Sequence, residues 1–572
     1  MTGKPKPAFW LTLFLTVIGL VTFSLYRAEM LPIGKKNQPT GPKSSESIPN
    51  KEALTITCYS SSAKKNWIDE MIKDFHAANY SVGDKRIRVK VFHVNSGDSL
   101  DDLKAAKIQP DMWSPGDESW LQLGLAYFRD VKQHTLFQEF KPLLNIPLVI
   151  AMWEPMAKAL GYPKPIGWKD IAKLATQKGG WAALGHPEWN EFRWGHAHPD
   201  ANSGFLTIVS EVYAILGKTQ GITTDDLKLP EVVSFLKEFE ESVEHYGLSN
   251  TWLDDLMRFK GPAYLSCAVQ YENTIIESNQ KYKNKPFQMV AIYPTEGNFW
   301  TRHPIAILDG DWMTPEKKEA SQQFISFLLN KESQSRAMKM GLRPISSDIP
   351  LESPFDIIHG VQLDVSSDKA FQVPDEAVLK RIRDLWEEVK IPATLMMVID
   401  RSGSMAGEPI DSAKIGAIQF IHAMKPRDEL KVVVFNNQVT ALSPRCLIQQ
   451  CGESVIGLLQ GVFADAGTAL YDSIAQNYQE LVDLQKQNPK RRYSMLVLSD
   501  GKDTASQLSR NDFLDTLPKS ENYNVPKIYT IAYGSEADKD LLAEVANRTN
   551  ARLFQSSPEA ISKTYKELSA NF

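Results

Sequence analysis

The sequence predicts an α/β chain in three parts: an N-terminal apolar helix long enough to span a bilayer, a two-lobed α/β region, and a doubly wound, Rossmann-like domain on a parallel sheet. Three observations predict it. Residues 8–26 carry no charge, strands alternate with helices from Leu54 onward, and hydroxyl, glycine and carboxylate residues gather where strands end. A chain of 572 residues has room for three or four folding units at roughly 100–200 residues each. Its 43% hydrophobic, 23% charged and 10% aromatic residues are globular values, which exclude a disordered or fibrous chain. A formal charge of −5, from 64 Lys+Arg against 69 Asp+Glu, argues against nucleic acid, whose binders neutralise many phosphates. Four cysteines (Cys58, Cys267, Cys446, Cys451) are too few for a disulfide scaffold and show no C-x-x-C spacing. Cys446 and Cys451 read equally as a small disulfide ring outside the cytoplasm or as free thiols.

The first element is the segment Ala8 to Tyr26, which follows Lys4 and Lys6 and as a helix spans about 28 Å, close to the hydrocarbon thickness. A cleaved signal peptide is the competing reading. The apolar stretch exceeds a typical signal core, and Arg27-Ala-Glu offers no small-x-small cleavage site, so an uncleaved anchor is expected. Residues 1–30 are then cytoplasmic tail and transmembrane anchor, and residues 31–52, rich in Pro, Lys, Ser and Gly, a flexible tether. Arg27, Lys35 and Lys36 compete with Lys4 and Lys6 under the positive-inside rule. Orientation therefore follows from the domains, which point to a single-pass cell-membrane protein with its bulk extracytoplasmic.

Residues 53–345 form the second part. Leu54 to Tyr59 reads as a strand, and Trp67, Ile68, Met71, Ile72 and Phe75 recur at helical spacing. Ile87 to Phe92 alternates as a second strand, followed by Asn95-Ser-Gly-Asp-Ser, a helix and the strand end Pro110-Asp-Met-Trp-Ser. Hydroxyl- and glycine-rich loops at the carboxyl ends of strands are where open α/β sheets hold ligands, because helix N-termini there offer unpaired amides. In order and spacing this stretch resembles the extracytoplasmic solute-binding proteins of bacterial transport systems, with the type 2 periplasmic-binding fold. The resemblance implies two lobes closing about a hinge on a small solute. It places Tyr59, Ser60 and Ser61 in a first ligand loop, Ser96 in a second, Asp111 and Trp113 before the hinge, Ser203 in the second lobe, and Tyr271 and Glu272 on the opposite wall. Ser60 to Ser62 read equally as a helix cap, and Trp113 as a core aromatic. His186, His196 and His198 come close in sequence, but no acidic residue stands at ligand spacing to complete a metal site. Arg193, Arg302 and His303 allow an anionic solute; Tyr59, Trp113 and Tyr271 equally allow a sugar.

Residues 346–392 read as a linker with one amphipathic helix, Asp375 to Val389, whose Ala377, Leu379, Ile382, Leu385 and Trp386 can share a face. From 393 to 572 short apolar strands alternate with helices, the pattern of a parallel sheet covered on both faces. Asp400-Arg-Ser-Gly-Ser404 leaves the first strand with a carboxylate and two hydroxyls at alternate positions, and Gly403 lets the loop turn tightly. Thr468 ahead of a helix and Asp500 ahead of Gly501 come from two further strand-end loops. Mg²⁺ takes six hard oxygens at about 2.0–2.1 Å and keeps some of its water, which suits this mixture. The combination resembles the metal-ion-dependent adhesion site of von Willebrand factor type A domains. The resemblance implies that Ser402, Ser404 and Thr468 bind Mg²⁺ (with Mn²⁺ or Ca²⁺ as substitutes), that Asp400 and Asp500 act largely through water, and that the remaining position takes an acidic side chain of a partner protein.

The expected protein is thus a membrane-anchored binding protein joining a solute module to a Mg²⁺-dependent adhesion-type domain. The alternative is the solute-binding component of an importer, delivering to an ABC-type permease with the last domain as scaffold. No Gly-x-x-x-x-Gly-Lys, His-Glu-x-x-His or Gly-x-Ser-x-Gly pattern occurs, so no enzyme is expected.

Overall fold

The computed structural model describes residues 53–519 and 525–569. The expected anchor and tether lie outside the described residues, among which no helix is long and apolar enough to cross a membrane.

Strand Ala53–Ser60 turns Ile56 and Cys58 inward and pairs in parallel with Lys85–His93 and Met112–Ser114. Helix Lys65–Ala77 covers it with Trp67, Ile68, Met71 and Phe75, as their spacing predicts, while Ile72 is only half buried. The first lobe's six-stranded sheet runs Ser81–Val82, Lys85–His93, Ala53–Ser60, Met112–Ser114, Pro304–Ile307, Phe140–Pro142. The second lobe's sheet runs Met289–Ile292, Ile146–Trp153, Cys267–Tyr271, Trp194–Ala197, Val243–Gly247. The chain crosses between the lobes after Pro142, returns after Thr301, and crosses a third time after helix Lys331–Lys339, where Ile357–His359 packs on the second lobe.

Helix Glu376–Val389 is capped by Asp375, whose carboxylate accepts from Val378 N at 3.0 Å. Its apolar face packs on helix Glu118–Tyr127 of the first lobe and on Asn202–Leu216 and Pro230–Glu241 of the second. The segment expected only to connect therefore belongs to the same core as the lobes. Ala377, expected on that face, is exposed.

The C-terminal sheet is ordered Val439–Ala441, Glu429–Phe435, Ala393–Asp400, Arg492–Ser499, Lys527–Tyr533, Leu553–Ser556, with Cys446–Leu447 also pairing to Glu429–Phe435, and is parallel except at Val439–Ala441 and Cys446–Leu447. Period two divides the central strand: Leu395, Met397 and Ile399 pack under helices Glu408–Ala423, Ile448–Gln460 and Ile561–Ser569, while Met396 and Val398 face Leu470–Gln487 and Lys539–Arg548. Cys446 and Cys451 form a disulfide; Cys58 and Cys267 are buried free thiols.

Candidate functional site

Strand order reverses beside Ala393–Asp400, which has Glu429–Phe435 on one side and Arg492–Ser499 on the other. A crevice opens beyond the carboxyl ends at such a switch point, and the predicted oxygens stand there. Buried Asp400 accepts from Ser402 N at 2.8 Å and from Ser499 Oγ at 2.6 Å. Ser402 Oγ and Ser404 Oγ are 3.1 Å apart, and Ser404 Oγ donates to Asp500 Oδ1 at 2.8 Å. Gly403 N bonds Ala466 O at 2.9 Å, tying the first loop to the second. A Cβ on Gly501 would lie 3.8 Å from Ser404 Oγ and 3.9 Å from Thr468 Oγ1, so the three loops border one small space. Ser404 and Asp500 form its solvent side, Asp400 and Ser402 its floor.

The donor set fits a hard divalent cation. Burial pushes the Asp400 carboxyl up to about 6 against the pull of Ser499 and Ser402, and the Asp500 charge adds to the rise. Burial raises Asp500 as well. Two partly desolvated carboxylates beside three hydroxyls are relieved by a cation, which restores the charged form. Ser402, Ser404 and Thr468 would hold it, with Asp400 and Asp500 around them.

The second site lies between the lobes, a cavity of about 390 Å³. Of the nine residues expected there, Ser61, Ser96, Ser203 and Tyr271 line it. Tyr59 instead stacks on Phe92, and Ser60 is buried with its hydroxyl toward Ser61 O. Asp111 precedes strand Met112–Ser114, whose carboxyl end is Ser114; its carboxylate accepts from Thr57 N at 2.7 Å and from Lys317 Nζ at 3.0 Å. Trp113 is a core residue whose Nε1 donates to Ser99 Oγ. Glu272 is buried in a two-pronged ion pair with Arg343, at 2.7 and 2.8 Å, and accepts from Tyr293. Asn66, Asn202, Asn250, Thr251, Asn273 and Glu277 line the cavity in their place. Asn202 immediately precedes the predicted Ser203, and Ser249-Asn-Thr is a helix start of the kind that capping residues signal.

The lobes touch across this cavity. Gly97 N donates to Asp200 O at 2.9 Å and Trp120 Nε1 to Asn202 Oδ1 at 2.8 Å. Beneath the first loop, Lys64 Nζ donates to Ser61 Oγ, Ser114 O and Pro115 O, while burial lowers its pKa to about 7. Arg302 faces Glu118, and Arg193 bonds Ala263 O, so neither lines the cavity. The three histidines of the quoted run part company: His186 lies on Trp189, His198 on Trp386, and His196 is fully buried.

Residues 56–343 match the family model of the bacterial extracellular solute-binding proteins, and residues 394–567 that of the von Willebrand factor type A domain. An uncharacterized protein of Synechocystis sp. is 23% identical over 180 residues, 31% of this chain and 41% of that protein. Inter-alpha-trypsin inhibitor heavy chain H4 of Homo sapiens is 26% identical over 170 residues, 27% of this chain and 17% of its own length. The chain therefore spans under half of either relative. Among solved structures, the periplasmic binding protein AfuA of Actinobacillus pleuropneumoniae, bound to fructose-6-phosphate, is similar at a TM-score of 0.40 and 18% identity, covering 59% of this chain and 99% of that one. A von Willebrand factor type A protein of Catenulispora acidiphila is similar at a TM-score of 0.29 and 17% identity, covering 32% and 42%.

Proposed function

The chain belongs to the bacterial extracellular solute-binding protein family and carries a von Willebrand factor type A domain behind that module; from this we propose a membrane-anchored, extracytoplasmic receptor, not an enzyme, that binds a small solute between its lobes and a protein partner at a Mg²⁺-dependent site. The observation that carries the partner half is the meeting of Asp400, Ser402, Ser404 and Asp500 around the space that Thr468 also borders. A cation held mainly by neutral hydroxyls keeps much of its charge, and so supplies a strong electrophilic contact for a partner's Asp or Glu. Ser404 and Asp500, on the solvent side, would face that partner. The charge-free apolar segment Ala8 to Tyr26, long enough as a helix to span a bilayer, supports anchoring.

Calorimetric titration of the full chain with Mg²⁺ tests the reading. Asp400→Ala and Thr468→Ala are each expected to abolish Mg²⁺ binding, with the melting temperature changed little beyond the loss of the ion's own mass-action contribution. Wild-type affinity in both variants would refute the site.

A further inference from the structure

Among the described residues, one cluster of buried ionisable side chains serves neither the cleft nor the strand-end site. His196 comes from strand Trp194–Ala197, Glu211 from helix Asn202–Leu216 and Glu240 from helix Pro230–Glu241. All three are fully buried, and one nitrogen or oxygen from each lies within 4.8 Å of the others.

Their hydrogen bonds fix which atoms are left over. His196 Nδ1 is 2.7 Å from Ala197 O; a carbonyl only accepts, so Nδ1 carries the proton, and in the neutral ring Nε2 is a bare lone pair. That Nε2 stands 3.3 Å from Glu240 Oε1 and has no hydrogen-bond partner. Glu240 Oε2 accepts from Tyr246 OH at 2.8 Å and from Trp386 Nε1 at 2.7 Å, while Oε1 has no donor. Neither oxygen of Glu211 has one. Lone pairs from three side chains thus face one another in a fully enclosed place, where an unsatisfied acceptor is costly, and a charged one more so.

We infer that His196, Glu211 and Glu240 bind a divalent first-row transition-metal ion, Zn²⁺ by the chemistry of the set. One imidazole nitrogen and two carboxylates are ligands of the borderline kind that Zn²⁺ takes. Two carboxylates balance the ion's charge and a neutral imidazole adds none, so the filled site is neutral, as deep burial demands. Ligands at about 2.0–2.1 Å in tetrahedral array lie about 3.3–3.4 Å from one another, and the His196–Glu240 separation is 3.3 Å. The supporting bonds are of the type that orient metal ligands: Nδ1–H to a backbone carbonyl for the histidine, and Tyr246 and Trp386 on the far oxygen of Glu240. Trp386 belongs to helix Glu376–Val389, which leads into the C-terminal domain, so the ion would also fix that helix to the second lobe. The competing occupant is a proton, since burial raises the Glu211 carboxyl well above the usual range.

Full-length protein, purified from cells supplied with zinc and washed briefly with chelator, decides between them by elemental analysis. One transition-metal ion per chain is expected, retained in Asp400→Ala and Thr468→Ala and lost in Glu211→Gln. Because Glu211→Gln can fail by unfolding, the wild type is also read by X-ray absorption at the zinc edge, where one imidazole and oxygen ligands without sulfur are expected. Folded wild type free of any first-row transition metal, or an ion with a sulfur or several imidazoles in its shell, overturns the assignment.

Discussion

Asp254, in helix Asn250–Lys260, is buried with Oδ1 lacking a hydrogen-bond partner. Burial pushes its pKa up to about 6, against the pull of Ser278 and Arg258. Since an unfolded aspartate titrates near 3.9, the native state holds the proton more tightly between about pH 4 and 6, and stability falls as pH rises through that window. Above it the native fold bears the whole cost of the buried charge, about two pKa units or roughly 3 kcal/mol. Asp254→Asn removes a charge that the fold disfavours. The variant is expected to match wild type at about pH 4 and to exceed it by roughly 2–3 kcal/mol at about pH 7, read as the difference in urea unfolding. A difference that does not vary with pH removes burial as its cause. Glu272 is the opposite case: Arg343 meets it on both oxygens, so its charge is compensated and its work is to hold the second lobe to the turn at Arg343.

Five helices begin on the wall of the inter-lobe cavity: those opening at Ser62, Ser96, Asn202, Asn250 and Glu272. The four of these that are α-helices each bring about half a positive charge, although Gly97 N and Trp252 N already have acceptors, while Lys65 and Glu277 bring one full charge of each sign. The balance favours an anionic solute, and native mass spectrometry of the full chain is expected to show a co-purifying ligand with at least one ionised acidic group; a neutral ligand would reverse that preference. The first of these helices and its strand were legible in the sequence, because Ile56 and Cys58 alternate and Trp67, Met71 and Phe75 recur at helical spacing. The strand-end oxygens were legible for a related reason: Asp400, Ser402 and Ser404 sit on a single loop, and Thr468 and Asp500 each precede a turn or helix. Helix Ile448–Gln460 was not, since Gly452 and Gly457 interrupt its apolar pattern. Asp111 and Glu272 were misplaced because a short strand's register and a partner 71 residues away decide their burial. The approach of Glu211 and Glu240 to His196 likewise depends on how two helices pack, which periodicity does not carry.

The C-terminal domain rests on both lobes at once. Arg492 donates to Val243 O and Glu244 O along the edge strand Val243–Gly247, Lys527 pairs with Glu244, and Tyr264 OH donates to Asn550 O at 3.0 Å. From its last helix Lys566 reaches Asp98 of the first lobe at 3.1 Å. Asp98 is followed in the same helix by Ser99 and preceded by Gly97, whose amide bonds Asp200 O across the lobes. The domain is thus fixed to one lobe through a covered sheet edge and tethered to the other by a half-exposed ion pair worth up to about 1 kcal/mol. If that tether biases the lobes toward contact, the position of the domain and solute affinity are coupled, and the coupling is reciprocal. Lys566→Ala is therefore expected to speed hydrogen exchange over Ser96–Lys104, the Gly97 amide above all, by up to about fivefold, while strands Ala393–Asp400 and Arg492–Ser499 exchange as before. Equal rates over Ser96–Lys104 in variant and wild type would mean that the lobes hold each other without help, and that the domain is only carried by the receptor.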